Sequence, residues 1–480
     1  MTTHTAPKKR IIIVGAGAFG LSTALYLQRY HKQHVDVLLL DSQPFPSVDS
    51  ASGNDTSRAI RPDYTDSFYS NLAKDAMHAW STDPVFSSHY KQSGRLAAAA
   101  PGVPFLQRCR ETLKTVGLEV EEFGEMDKAQ NLKKKFPMLG DVEKLKGWDF
   151  YYNPHAGWAN PKEAVISAMK EYQALGGKFI GDSKRGKVVD NLIVDGDDNQ
   201  LAAAITGRIV GVKTADGRAH HAEHVIYAIG SFSTSQKTLL PGLETQIHPT
   251  GFAIAHWKLD DPDELKAWLH HPVVDMYHFG YFFPPDPSTH LMKLGLGIMG
   301  FTHDHETDDG DTGVGIARAN SALAGSSHEG RIPPIAEEGI RWILSHWAPS
   351  LAQKKFFDMK MCWDAMTPDG GWLIDNHPQV QGLSVATGGS GHGFKFLPVV
   401  GQFICEALNL VQTEAVGSVT PRSTDHRKRQ MREKWKWGRK GNLNVKDRRV
   451  ALQGRPILNV VEHLESDRCH DIDSIIRSRL

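Results

Sequence analysis

Four apolar residues, Ile11-Ile-Ile-Val14, run without a polar break into Gly15. Such a run bounded by glycine predicts a strand covered on both faces. After Gly20 the pattern LSTALYLQRY changes to helical spacing, and Val35-Asp-Val-Leu-Leu-Leu40 then predicts a second buried strand ending in Asp41. Gly15, Gly17 and Gly20, with Ala18 and Phe19 between the last two, form the turn that joins the first strand to the helix. Glycines there permit a sharp turn and close backbone approach to a pyrophosphate, which rests on the helix N-terminus. Asp41 stands about 20 residues past the last glycine, where an acid takes a ribose hydroxyl. The segment therefore predicts a dinucleotide site in a βαβ unit.

Further along, Ser50–Arg58 reads as a polar loop and Tyr64–Trp80 as helical. Lys91–Ala100 predicts a strand entering a second lobe, and Lys162–Leu175 a helix. Gly177–Asp195 and Thr206–Gly217 predict strands, and Val225–Gly230 a buried strand returning to the nucleotide sheet. His248–Phe301 is β-rich, with Tyr281–Phe283 and Leu291–Gly295 alternating between two faces. Thr302–Gly330 is polar and reads as a surface insert, followed by a helix at Pro333–Trp347. Apolar pattern returns at Phe357–Cys362 and Leu383–Thr387, with a helix at Val399–Leu408. The nucleotide sheet is thus expected to be split, opening strands near the N-terminus and closing strands after residue 380.

Lys+Arg and Asp+Glu both number 55, which gives no basic bias toward nucleic acid. No apolar run reaches the ~18 residues of a membrane span. Cys109, Cys362, Cys405 and Cys469 lack paired spacing, which argues against a disulfide framework and against a zinc site. The 24 histidines include no H-E-x-x-H spacing, so no metal is expected. Pro421–Val450 holds twelve Lys/Arg against three Asp/Glu and reads as a solvated tail wrapping the body. Ser478-Arg479-Leu480 is a close variant of the S-K-L peroxisomal address.

Two later segments carry chemistry. One is Lys360-Met-Cys-Trp-Asp-Ala-Met-Thr-Pro-Asp-Gly370; the other is Gly388-Gly-Ser-Gly-His-Gly-Phe-Lys-Phe396. The second combines glycines for close approach to a flat ligand with a helix aiming its positive end there. Donors at that place suit an anionic reduced flavin. With GAGAFG, the GND-x-x-R loop, the CW…TPD segment and the SGHGFK segment in this order, residues 10 to 410 resemble the FAD-dependent amine oxidases that include monomeric sarcosine oxidase and the amadoriases.

The resemblance implies an α/β fold. A Rossmann-like FAD-binding domain (1–85, 161–245 and 356–412) is interleaved with a second α+β substrate domain (86–160 and 246–355), and a basic tail (413–480) follows. It implies a monomer acting on a small-molecule amine and O2, with FAD bonded covalently to Cys362. Ser42, Ser52, Asn54, Asp55 and Arg58 are expected to join the glycine turn and Asp41 around the cofactor, with Val188 on the adenine side. Gly230, Asp369, Gly391, Gly393 and Phe394 complete that set. Lys293, in MKLG, is implied to promote the reaction with O2. Lys395 is implied to contact both cofactor and substrate carboxylate, and Arg61 and Asp364 to contact substrate.

The chain departs from its relatives at Pro284, where amadoriases carry an acid, and at Trp435-Lys-Trp-Gly438, a weak echo of their tail. It departs from sarcosine oxidases at Gly297 and Asp364. The redox set is retained while substrate contacts change. The activity implied is oxidation of the C–N bond of an N-substituted amino acid to an imine, with O2 reduced to H2O2. Within that class the substrate stays open: a fructosyl amino acid, saccharopine, pipecolate, or an N-methyl amino acid of fungal specialised metabolism whose imine closes a ring. A flavin dehydrogenase and a silent flavin-binding protein are the readings from other classes.

Overall fold

The strand Lys9–Val14 lies at the middle of a parallel sheet, hydrogen-bonded to Val35–Asp41 on one side and His224–Tyr227 on the other. The sheet order is Leu373–Asn376, Leu383–Thr387, His224–Tyr227, Lys9–Val14, Val35–Asp41, Lys178–Gly181, with the first strand antiparallel to the second. Ile11 and Ile13 pack on one face and Ile12 and Val14 on the other, which is why the run lacks alternation. The computed structural model describes residues 7–46, 53–124, 127–141, 143–194, 207–236, 238–302, 332–411, 417–418, 420–439, 456–459 and 472–477. Ser52, Cys469, the insert from residue 303 to 331 and Ser478-Arg479-Leu480 lie outside them.

The expected split sheet is present. Strands from residues 9–41, 178–181, 224–227 and 373–387 meet side by side although hundreds of residues separate them. The helix Ala18–Tyr30 follows the glycine turn, and Pro161–Ala174 and Val400–Ala407 pack beside it. Gly401 permits that approach: a Cβ there would stand 2.1 Å from the Ser22 carbonyl oxygen.

A second, larger sheet has ten strands among the described residues, with His248–Lys258 near its middle between Leu291–Leu296 and Phe357–Met366. The helix Pro334–Trp347 covers it, and Trp257, Trp268, Leu294, Ile340 and Trp347 fill the layer between. Phe357–Met366 pairs with His248–Lys258 and carries Cys362 onto the wall of the cavity described below.

Over its described residues, 421–439, the basic segment is docked on the body rather than solvated. Asp425–Trp435 is a helix whose Met431 and Trp435 are wholly buried. The Trp435 indole donates to the Tyr69 hydroxyl at 3.0 Å. Three ion pairs, Arg427–Asp75, Lys434–Asp66 and Arg439–Asp369, hold the segment down. Its positive charge reads as solvated in sequence because the acids that answer it lie far away in the chain.

Candidate active site

A cavity of about 1080 Å³ runs from the glycine turn to the glycine cluster at 388–393. At its first end Gly15 adopts φ +103, and a Cβ there would lie 2.5 Å from the Ala228 carbonyl oxygen. Gly17 presents bare backbone, with nothing within 4 Å of a Cβ built on it. It caps the helix without a side-chain bond, and the first turn carries no acid. Ala18 and Phe19 border the cavity, so the positive helix end opens on it with its amides uncommitted to a side chain. Gly20 does other work: a Cβ there would stand 1.9 Å from the Gly15 carbonyl oxygen, so it seats the helix against the turn and stays off the wall.

Asp41 borders the cavity and accepts from the Ala16 amide at 2.8 Å and the Gln43 amide at 3.0 Å. Burial pushes its carboxyl above the ordinary value, against those amide bonds. Ser42, Val188 and Gly230 line the same end.

Midway, Arg58 and Cys362 face each other across the wall. Arg58 Nη2 donates to Cys362 Sγ at 3.3 Å and pairs with Asp55 at 3.1 Å. Asn54 and Asp55 stand behind the wall rather than on it. So does Lys293, expected on the cavity face. Its Nζ meets Asp55 Oδ2 at 2.7 Å and also donates to the Ser57 carbonyl. Neither Lys293 nor Asp55 has an exposed side chain. Register explains the placement: Lys293 pairs with His256 across the sheet and shares its face, and Asp55 fits between them and Arg58.

The far end holds the substrate candidates. Lys395 is buried, and its Nζ donates to the Tyr64 hydroxyl at 3.0 Å and the His392 carbonyl at 3.1 Å. Burial, then Arg61, push its ammonium well below the ordinary value. Asp364 borders the cavity and accepts the Gly391 and Ala365 amides, and burial raises its carboxyl. Gly391, Gly393 and Phe394 also line this end. Asp369 lines it too, but its carboxylate is engaged by Arg439 at 2.8 and 3.0 Å, so it anchors the C-terminal segment. Gly297 borders the cavity and Pro284 does not.

Arg61 reaches Asp275 at 3.7 Å. On the same wall, Arg95 pairs with Asp275 at 2.8 Å and Asp63 at 3.0 Å, and Tyr151 and Asn153 donate to Asp63. Tyr64, Asp63, Arg95 and Asp275 were not singled out in the sequence. A signal existed: single charges inside the apolar strands Arg95–Ala99 and Val273–Met276 demand buried partners.

The family model described as FAD dependent oxidoreductase matches residues 10–407. The chain belongs to that family. It is 29% identical over 478 residues to L-saccharopine oxidase of Schizosaccharomyces pombe, covering 96% of this chain and 99% of the relative. It is 23% identical to the peroxisomal sarcosine oxidase of Homo sapiens, covering 82% of this chain and 90% of the relative. Its fold matches the crystal structure of fructosamine oxidase (Amadoriase II) from Aspergillus fumigatus in complex with FSA, with TM-score 0.75, 27% identity, and coverage of 97% and 99%. The mixed α/β architecture expected from the motifs is the one found.

The residues present fit FAD. The bare Gly17 backbone and uncapped helix offer a diphosphate place, the turn opens into a cavity of about 1080 Å³, and the Cys362 thiol lines it.

Proposed function

We propose that this enzyme oxidises the C–N bond of a secondary-amine amino acid, with FAD bonded through Cys362 Sγ. When bound, FAD accepts a hydride from the carbon next to nitrogen and passes two electrons to O2, giving H2O2. Lys395 carries the reading. It is a buried ammonium bonded to a phenol oxygen and a carbonyl, with no carboxylate partner among the described residues. A buried cation without a counter-ion is costly. A substrate carboxylate supplies that counter-ion and takes the remaining N–H.

The rest of the wall orients and encloses. The first-turn amides after Gly17 hold the diphosphate, and Asp41 and Ser42 the ribose. Tyr64 fixes Lys395, and its ring packs against Arg61 at 5.2 Å. Lys434 and Arg439, docked on Asp66 and Asp369, wall one side and limit water. Fixing the substrate carboxylate on Lys395 sets the amine arm before the cofactor, and orientation of this kind supplies much of the rate. Lys293 and Arg58, gathered on Asp55 near Cys362, would add positive charge on that side of the cavity and favour an anionic reduced cofactor.

Arg61 and Arg108 on the wall beyond Lys395 favour a substrate whose second arm also ends in a carboxylate. Saccharopine has that form; a fructosyl amine and N-methyl amino acids do not. We place the enzyme in the peroxisome, on the peroxide it forms and its likeness to peroxisomal sarcosine oxidases, and infer that it acts as a monomer.

The deciding experiment is an absorption spectrum before and after acid precipitation, followed by peroxide release with secondary-amine amino acids. Yellow colour in the pellet and peroxide from a carboxyalkyl amino acid are expected. Protein without flavin, or flavin that no amine bleaches under anaerobic conditions, overturns the reading.

A further inference from the structure

Lys293 is completely buried, yet its ion-pair partner leads outward. Asp55 Oδ2 is 2.7 Å from Lys293 Nζ, and Asp55 Oδ1 is 3.6 Å from His256 Nε2. On the far side of the ring, His256 Nδ1 lies 3.0 Å from the Asp358 carbonyl and 3.4 Å from its carboxylate. Asp358 has a side chain 56% exposed. It also holds φ +46, next to the register shift where the strand Phe357–Met366 pairs with His256. A non-glycine residue in that conformation persists only when its surroundings hold it there. The Thr56 hydroxyl meets His256 Nε2 at 3.1 Å and closes the ring's other approach.

We propose that Asp358, His256 and Asp55 form a proton path from solvent to Lys293, by which Lys293 charges when the bound cofactor is reduced and discharges when it is reoxidised. This rests on the flavin reading above. The transfer is proton movement alone. A proton passes from the Asp358 carboxyl to one imidazole nitrogen and from the other nitrogen to Asp55 Oδ1; the Asp55 carboxyl then turns about its Cβ–Cγ bond and hands that same proton to neutral Lys293 Nζ. Water refills Asp358, so one proton is taken from solvent for one positive charge gained behind the wall. Reoxidation by O2 reverses it.

The remaining groups around Lys293 offer no other route. Arg58 and Ser57 come from the segment that bears Asp55, and arginine does not release its proton. Tyr281 and Phe283 present ring faces at 5.9 and 5.0 Å. Cys362 and Lys360, on the strand Phe357–Met366, act only through their fields. An imidazole with a carboxylate on each side is suited to pass protons, because either nitrogen can carry one. Lys293 is pushed down to about 8, mainly by burial, so it titrates in a range where reduction can move it.

The test counts protons rather than turnover. The holoenzyme is photoreduced without oxygen in weak buffer, one pH unit above the Lys293 midpoint of about 8. A dye reports proton uptake beside the flavin absorbance. Lys293→Met is expected to abolish the additional uptake seen in the wild type. His256→Gln and Asp358→Asn are expected to keep its extent and slow it about 100-fold. Asp358→Asn is a surface change, and asparagine tolerates the left-handed conformation, so it carries the test should His256→Gln fail to fold. Uptake as fast in Asp358→Asn as in wild type, or unchanged in Lys293→Met, overturns the path. In cofactor-free protein, deuterium exchange at Lys293 Nζ read by 15N NMR should slow in the same two variants. A chain that binds no flavin thus sinks the proposed function while exchange still judges the path.

Discussion

Arg58 Nη2 reaches Cys362 Sγ across 3.3 Å while pairing with Asp55, which joins residues 304 positions apart on the cavity wall. The guanidinium donates to the sulfur proposed to carry the cofactor and so fixes its position on the cavity wall. Cys362→Ala should therefore move the flavin colour from the acid pellet to the supernatant. Arg58→Gln should slow covalent attachment about tenfold, matching the loss of one charge-assisted contact. Attachment is followed by absorbance of acid-precipitated protein after apoprotein is mixed with FAD.

Lys395 is the counter-ion expected for the substrate carboxylate. Lys395→Met keeps the length of the side chain and removes its charge. It should raise KM for a carboxylate-bearing amine about 10- to 100-fold, the effect of one lost hydrogen bond to a charged group. Esterifying the substrate carboxylate should have little further effect in the variant and a large one in the wild type. An equal effect in both would place the carboxylate elsewhere.

Burial lowers Lys293 to about 8, with Asp55 opposing the shift and Arg58 adding to it. In the unfolded chain a lysine keeps its proton to about pH 10.4. Between these values the unfolded chain binds more protons, so this group makes the folded state more stable as pH rises through that window. The melting temperature of wild type relative to Lys293→Met should rise across it. Reoxidation of reduced enzyme by O2 should hold its rate as pH rises through about 8 and fall only at higher pH, because Lys293 keeps its charge while the cofactor is reduced.

Asp55 shows the opposite balance. Burial alone would raise its carboxyl; Lys293 and Arg58 override that and hold it well below the ordinary range. Asp55→Asn leaves two cations facing each other in the interior. It should cost about 3–5 kcal/mol by denaturant unfolding at neutral pH, the range for breaking a buried pair. Asp55→Asn with Lys293→Met should recover part of that loss, since the buried charge goes with its partner.

The C-terminal helix is bound to the body through Trp435, which is wholly buried and bonded to Tyr69. Trp435→Ala should cost about 3–5 kcal/mol and loosen the cavity wall formed by Lys434 and Arg439. Retention of flavin during gel filtration, measured beside chemical denaturation, would register both effects.

By itself the sequence determined the strand–turn–helix at Ile11–Tyr30, the split sheet and the order of its chemistry-bearing segments. These are local matters: an unbroken apolar run, glycines where a side chain would collide, and a change of hydrophobic period. Residues named from motifs, such as Gly17, Asp41, Cys362 and Lys395, meet on one cavity because each motif fixes its own backbone against the same ligand space. Only the tertiary structure decided which charges are partners. Lys293 read as a cavity-facing cation, but strand register sets it beside His256 and hands it to Asp55, 238 residues away. The basic C-terminal segment read as solvated, but the acids Asp66, Asp75 and Asp369 draw it onto the body. That Arg95 is answered by Asp63 and Asp275 was decided only once three separate segments met. A buried charge is tolerable only with its partner, and the partner is chosen by the packing of elements remote in sequence.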